Sequence, residues 1–266
     1  MSSVVRPSSQ QMTRRVVVLA AAAFAIVAPV IQMATGFGLD QGEFAAQGDQ
    51  TLRVAGYAFS IWGLIYIGIL AYAVRQVLPQ TGESDMIRRF AIPSIVAFVG
   101  IGAWIVAAAA DARIATLVLI FASLIALLVP LVVHGGLIRA LGKGDRDRWL
   151  VAWPLGLLAG WLTVAAPLNL ITVLTAENAL PLALAPTGWA MLAIVVVVAL
   201  TLFVTARTRL LAYPLPVAWG LLGAFVAEQT RNPLLGFFAL GAALLVLVVS
   251  LVLVFLLRPG VERPAV

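Results

Sequence analysis

Long apolar runs separated by short polar turns organise this chain. Eight runs stand out, at roughly 16–36, 54–74, 90–110, 114–138, 149–175, 188–206, 210–230 and 234–257. Each is close to the about 20 residues that a helix needs to cross ~30 Å of hydrocarbon at about 1.5 Å per residue. In lipid an isolated strand leaves its backbone unsatisfied, so the runs are expected to be helices. The predicted fold is an all-α polytopic membrane protein of about eight transmembrane helices.

Composition supports that reading. Hydrophobic residues make up 63% of the 266 and charged residues 11%. Soluble domains run near 45–50% and about 25%. If the eight runs alternate across a bilayer, 14 of the 17 basic residues fall on one side and only Arg53, Arg113 and Arg231 on the other. That asymmetry predicts both termini in the cytoplasm. The net charge of +6 is spread over separate short clusters, which argues against nucleic acid as a partner. The apolar run after Arg14-Arg15 exceeds a usual signal-peptide core and lacks a small-x-small cleavage site, so it is expected to be an uncleaved anchor.

Chemistry is sparse. Cysteine is absent, excluding disulfides and thiolate metal sites. Lys143 is the only lysine and falls in a basic loop, which excludes a retinal Schiff base within the bundle. The only histidine, His134, is expected to cap a helix end, although it could serve as a single axial ligand. Asp111, Arg113, Glu228 and Arg231 sit near span ends and are expected to be interfacial. No acid–base set, phosphate loop or nucleophile constellation appears, so no enzyme and no cofactor is expected.

Aromatic and small residues remain. Trp62, Trp104 and Trp161 fall near span middles, where an indole N–H should face a neighbouring helix or a cavity rather than lipid. Phe59, Trp62, Gly63 and Tyr66 share one helical face, which can pack a helix or grip a flat apolar ligand. In the fifth span, Gly156 and Gly160 form a GxxxG pair suited to close helix packing. Trp161, Ala165, Leu168 and Thr172 form a second stripe about 100° round the helix. The amide of Asn169 needs partners from another helix, a ligand or water.

Trp62-Gly-Leu-Ile-Tyr66 and Trp161-Leu-Thr-Val-Ala-Ala-Pro-Leu-Asn169 resemble the second- and fifth-helix signatures of the TspO/MBR family, the tryptophan-rich sensory proteins. The longer, divergent members are the nearer likeness. The match departs at Ile101, three residues before Trp104, where short members carry Asn. The resemblance implies a five-helix transmembrane unit over 1–178 and a three-helix extension over 179–266. Family members bind porphyrins, sterols or aromatic drugs among the five helices. By that resemblance the chain is expected to bind a hydrophobic planar, tetrapyrrole-like molecule non-covalently, as sensor or carrier, in a bacterial inner membrane. The expected ligand-binding residues are Tyr57, Phe59, Trp62, Tyr66, Trp104, Trp161 and Asn169, with Gly156 and Gly160 for helix packing. Expected partners are the lipid bilayer and a hydrophobic small molecule, with homo-oligomerisation open. The alternatives are a secondary transporter of a neutral or amphipathic solute, and a membrane scaffold or assembly protein.

Overall fold

A computed structural model describes residues 9–77 and 84–256. Arg6, Arg258 and Arg263, counted above on the basic side, lie outside the described residues. Within them the order is α1 (Ser9–Thr35), α2 (Gln41–Ala46), α3 (Ile61–Val77), α4 (Asp85–Ala109), α5 (Arg113–Val133), α6 (Gly135–Ala140), α7 (Trp153–Ala176), α8 (Pro186–Thr208), α9 (Pro214–Glu228) and α10 (Pro233–Leu251). A 3₁₀ turn, Gly56–Ser60, precedes α3; π-helical turns precede α7 (Arg148–Ala152) and follow α10 (Val252–Leu256). No strand occurs among the described residues.

Helix starts follow from local chemistry. Ser84 accepts the Ile87 N–H at 3.1 Å and Asn232 accepts the Leu235 N–H at 3.3 Å, each capping the first turn. Pro186, Pro214 and Pro233 occupy first positions, where a missing N–H costs nothing. Seven segments are long and apolar enough to cross a membrane: Gln11–Thr35, Gly56–Val77, Asp85–Ala109, Arg113–Val133, Arg148–Ala176, Pro186–Thr208 and Pro233–Phe255. The eighth expected run, 210–230, holds only the 15 residues of α9, or about 22 Å of helix. Its first residues are used instead as a turned connection, opened by Arg209 in the left-handed conformation at φ 53°.

α7 is the centre of the bundle. It packs against α2, α3, α5, α8 and α9. Of its apolar stretch 67% is buried, against 22% for the peripheral α1. The GxxxG face receives the α8–α9 connection rather than a whole helix: Gly156 faces Leu210 and Ala212, and Gly160 faces the Tyr213 carbonyl and Pro216. A Cβ at Gly160 would lie 2.1 Å from the Tyr213 oxygen, so only glycine permits this approach. The neighbouring Thr163 hydroxyl meets the Tyr213 hydroxyl at 2.7 Å. The apolar core around α8, α9 and α10 includes Leu52, Val164 and Ile171. Thr201, Thr205 and Thr208 of α8 and Ser250 of α10 are buried.

Charges cluster at the ends. Arg113 bridges Asp111 at 3.1 Å and Glu177 at 2.6 Å. Arg75 pairs with Asp147 at 3.0 Å, tying the end of α3 to the entry of α7. Glu228, at the end of α9, pairs with Arg231 there at 2.5 Å but is enclosed by protein. It also accepts the Arg53 N–H at 2.7 Å. Those bonds satisfy the carboxylate inside and fasten α9 to the strand of chain leading into α3.

Candidate functional site

The α7 stripe anticipated from helical spacing faces a cavity. Trp161, Ala165, Leu168 and Thr172 all line it, joined from the same helix by Leu162, Val164 and Asn169. Phe59 enters from the 3₁₀ turn and Trp62 from the start of α3, Ile101 and Trp104 from α4, and Ile120 from α5. The outer wall is α2, which contributes Gln41, Phe44 and Ala45. The rings meet edge to face: Trp62 and Trp161 at 6.3 Å and 79°, Phe59 and Trp161 at 6.2 Å and 80°, Phe44 and Trp104 at 5.8 Å and 83°. Such pairs are favoured because the positive ring edge meets a negative face.

The space is narrow. Its volume is about 40 Å³, where one water needs about 10–15 Å³. A tetrapyrrole therefore fits only if a wall moves.

Two polar features organise the interior. The first is a chain of bonds across three helices. The Trp104 indole donates to Asn169 Oδ1 at 2.8 Å; Asn169 Nδ2 donates to the Thr116 hydroxyl at 3.0 Å; that hydroxyl donates to the Arg113 carbonyl at 2.6 Å. Asn169 thus finds its partners on α4 and α5. The second feature is a set of unmet groups. The indole nitrogen of Trp161, a residue only 3% exposed, has no hydrogen-bond partner. Thr172 Oγ1 and Gln41 Oε1 on the same lining also lack one. A buried N–H without an acceptor costs about 1–3 kcal/mol.

Of the residues expected at the site, Phe59, Trp62, Trp104, Trp161 and Asn169 come together. Tyr66 stacks behind Trp62 at 5.3 Å and 21° and is not on the lining. Tyr57 lies two residues before Phe59, round the far side of the turn. It is 43% exposed and stands edge-on to Trp219 at 5.2 Å. Trp219 itself donates to the Ala58 carbonyl at 2.9 Å and does not reach the cavity. His134 stands at the junction of α5 and α6 beside Phe90, and its side chain makes no capping bond there. Burial first, then the Arg89 charge, lowers its pKa. Among the described residues no group of three or more His, Asp or Glu could hold a metal ion.

The contribution of α2 was missed in the sequence, although its signal was present. Asp40 accepts the Glu43 N–H and Glu43 accepts the Asp40 N–H, both at 2.8 Å, a reciprocal capping box. Outside α2 a second space of 410 Å³ is bordered by Asp49 and Arg53, which pair at 2.9 Å. It shares Ala45, Val54, Phe59 and Leu168 with the aromatic cavity and adjoins it as a vestibule. Burial raises the Asp49 pKa against the lowering pull of Arg53 and Arg231.

A bundle of apolar helices with a ring-lined internal cavity defines a polytopic integral membrane protein. The family model described as TSPO-like protein matches residues 14–252, from α1 into the turn after α10, and the chain belongs to that family. No curated protein and no solved structure matches it.

Proposed function

We propose that the protein binds a hydrophobic planar small molecule of the tetrapyrrole class in the aromatic cavity, without turnover, as a sensor or carrier in a bacterial inner membrane. The observation that carries this reading is the Trp161 indole, buried and unpaired among rings. An acceptor atom on a flat apolar ligand would complete it while Trp62 and Phe59 meet the ligand's faces. Because the cavity is narrow, entry requires α2 to swing away from Trp104 and the vestibule to merge with the cavity. α2 is a six-residue element that buries a single side chain, Phe44, so it is the wall that moves most cheaply.

Titration of the purified protein with protoporphyrin IX, followed by tryptophan quenching, tests this. Saturable quenching at micromolar ligand is expected. Trp161→Phe keeps a ring but removes the N–H and should weaken binding about tenfold or less. Trp62→Ala and Trp161→Ala, checked for folding, should weaken it more than tenfold. Quenching with no saturable component, or full affinity in both alanine variants, overturns the reading. The runner-up, a secondary transporter of a neutral or amphipathic solute, draws support from the vestibule adjoining the cavity. Solute uptake into proteoliposomes would favour it.

A further inference from the structure

Another cavity, of about 550 Å³, opens on the basic side of the bundle and shares no residue with the aromatic one. Arg139, Lys143, Arg148 and Arg209 line it together with apolar Leu141 and Val254. Among the described residues no carboxylate is on its lining. The nearby Asp147 is turned away to Arg75 at 3.0 Å.

The backbone around this cavity is irregular on three sides. Arg148 lies in the π-helical turn before α7, Val254 in the one after α10, and Arg209 at a left-handed φ of 53°. π-turns and left-handed non-glycine residues are costly and concentrate at functional sites. The cations are also held in place. Arg148 Nη1 donates to the Leu141 carbonyl at 3.2 Å, and Arg209 Nη1 donates to the Leu253 carbonyl. The Trp149 indole donates to the Lys143 carbonyl at 2.7 Å and fixes that loop. Trp149 is 48% exposed and stacks on Trp153 at 4.9 Å, as a tryptophan at headgroup depth does.

We propose that this cavity binds a phosphate group, carried by the headgroup of an anionic phospholipid. Guanidinium forks match phosphate oxygens in geometry and charge. Basic pockets between helices on the positive side of a membrane protein take such headgroups. Leu141 and Val254 give the glycerol and first methylenes an apolar wall. A free phosphate has the same anionic chemistry but no use for that wall or for the interfacial tryptophan.

The test compares binding of dioleoylphosphatidylglycerol and dioleoylphosphatidylcholine to the full chain in neutral detergent by native mass spectrometry. Wild type should hold the anionic lipid about tenfold or more tightly than the neutral one. Arg139→Gln/Lys143→Gln, both exposed positions, should lose about tenfold of that affinity without a change in melting temperature in neutral detergent. Arg88→Gln/Arg89→Gln removes the same charge elsewhere on the basic side and should change it little. Equal affinity for the two lipids, an unaffected Arg139/Lys143 variant, or an equal loss in the Arg88/Arg89 variant overturns the site. Displacement of the lipid by millimolar inorganic phosphate would overturn the lipid source. Resistance to that displacement supports it.

Discussion

The Trp104 indole donates to the Asn169 side-chain oxygen at 2.8 Å, joining α4 to α7 beneath α2. The same amide donates to Thr116 on α5. One buried asparagine therefore sets the relative depth of three helices, in a medium where apolar side chains pack equally well at many depths. Hydrogen bonds between membrane helices have this directional value because lipid offers no competing partner.

Asn169→Ala leaves the Trp104 N–H and the Thr116 hydroxyl without that partner. It should destabilise the protein by about 1–3 kcal/mol in detergent unfolding. Combining it with Trp104→Phe should give a coupling energy of about 0.5 kcal/mol or more in a double-mutant cycle. Strict additivity would show that the bond contributes nothing to register.

Gly160→Ala places a methyl against the Tyr213 backbone oxygen, which cannot swing aside as a side chain can. A cost of about 1–3 kcal/mol is expected. Gly241→Ala, where a Cβ meets open space within α10, should be neutral or stabilising by up to about 1 kcal/mol. Melting temperatures of the two variants side by side check the contrast.

If α2 gates the aromatic cavity, weakening its cap should change rates more than affinity. Asp40→Ala removes the side-chain acceptor for the Glu43 N–H, worth about 0.5–2 kcal/mol to the helix. Stopped-flow quenching with protoporphyrin IX should show faster association and dissociation than wild type. Unchanged rates would mean that the ligand enters elsewhere.

The turn between α4 and α5 should be acid-sensitive. Slight burial pushes the Asp111 carboxyl up, but hydrogen bonds from Gln47 and Arg113 and the Arg113 charge outweigh it, holding the group below its ordinary 3.8. A depressed carboxylate stabilises the fold fully above the unfolded value and loses that contribution as pH falls through the lowered one. Wild-type stability should therefore drop as pH goes below about 4, and Asp111→Asn should flatten part of that fall. Asparagine tolerates the left-handed φ of 52° at this position, so the backbone is not the variable. Melting temperatures measured across acidic pH would show it, and parallel curves would refute it.

Much of the cavity was legible because helices impose a period. Trp161, Ala165, Leu168 and Thr172 lie four, three and four residues apart, and that spacing alone put them on one face. Phe59 and Trp62 followed by the same rule. Tyr66 satisfied the rule too, yet it stacks behind Trp62, because periodicity gives a direction and not the distance to the next helix. The α2 wall was hidden in a polar stretch whose Asp40-x-x-Glu43 cap was overlooked. The demand of Asn169 for partners was foreseeable from its polarity. Its actual partners, 65 and 53 residues away in sequence, were not.

What the sequence determined by itself is the membrane as solvent, the helical class and which faces of the long helices carry rings, since hydropathy and a 3.6-residue period are local properties. What only the tertiary structure decided is that α9 is short, that Gly156 and Gly160 receive a turned connection, that Glu228 is buried, and that Trp161 keeps an unpaired N–H. Each depends on which remote atoms arrive beside a residue. Close packing sets that to within an ångström, and no local pattern along the chain encodes it.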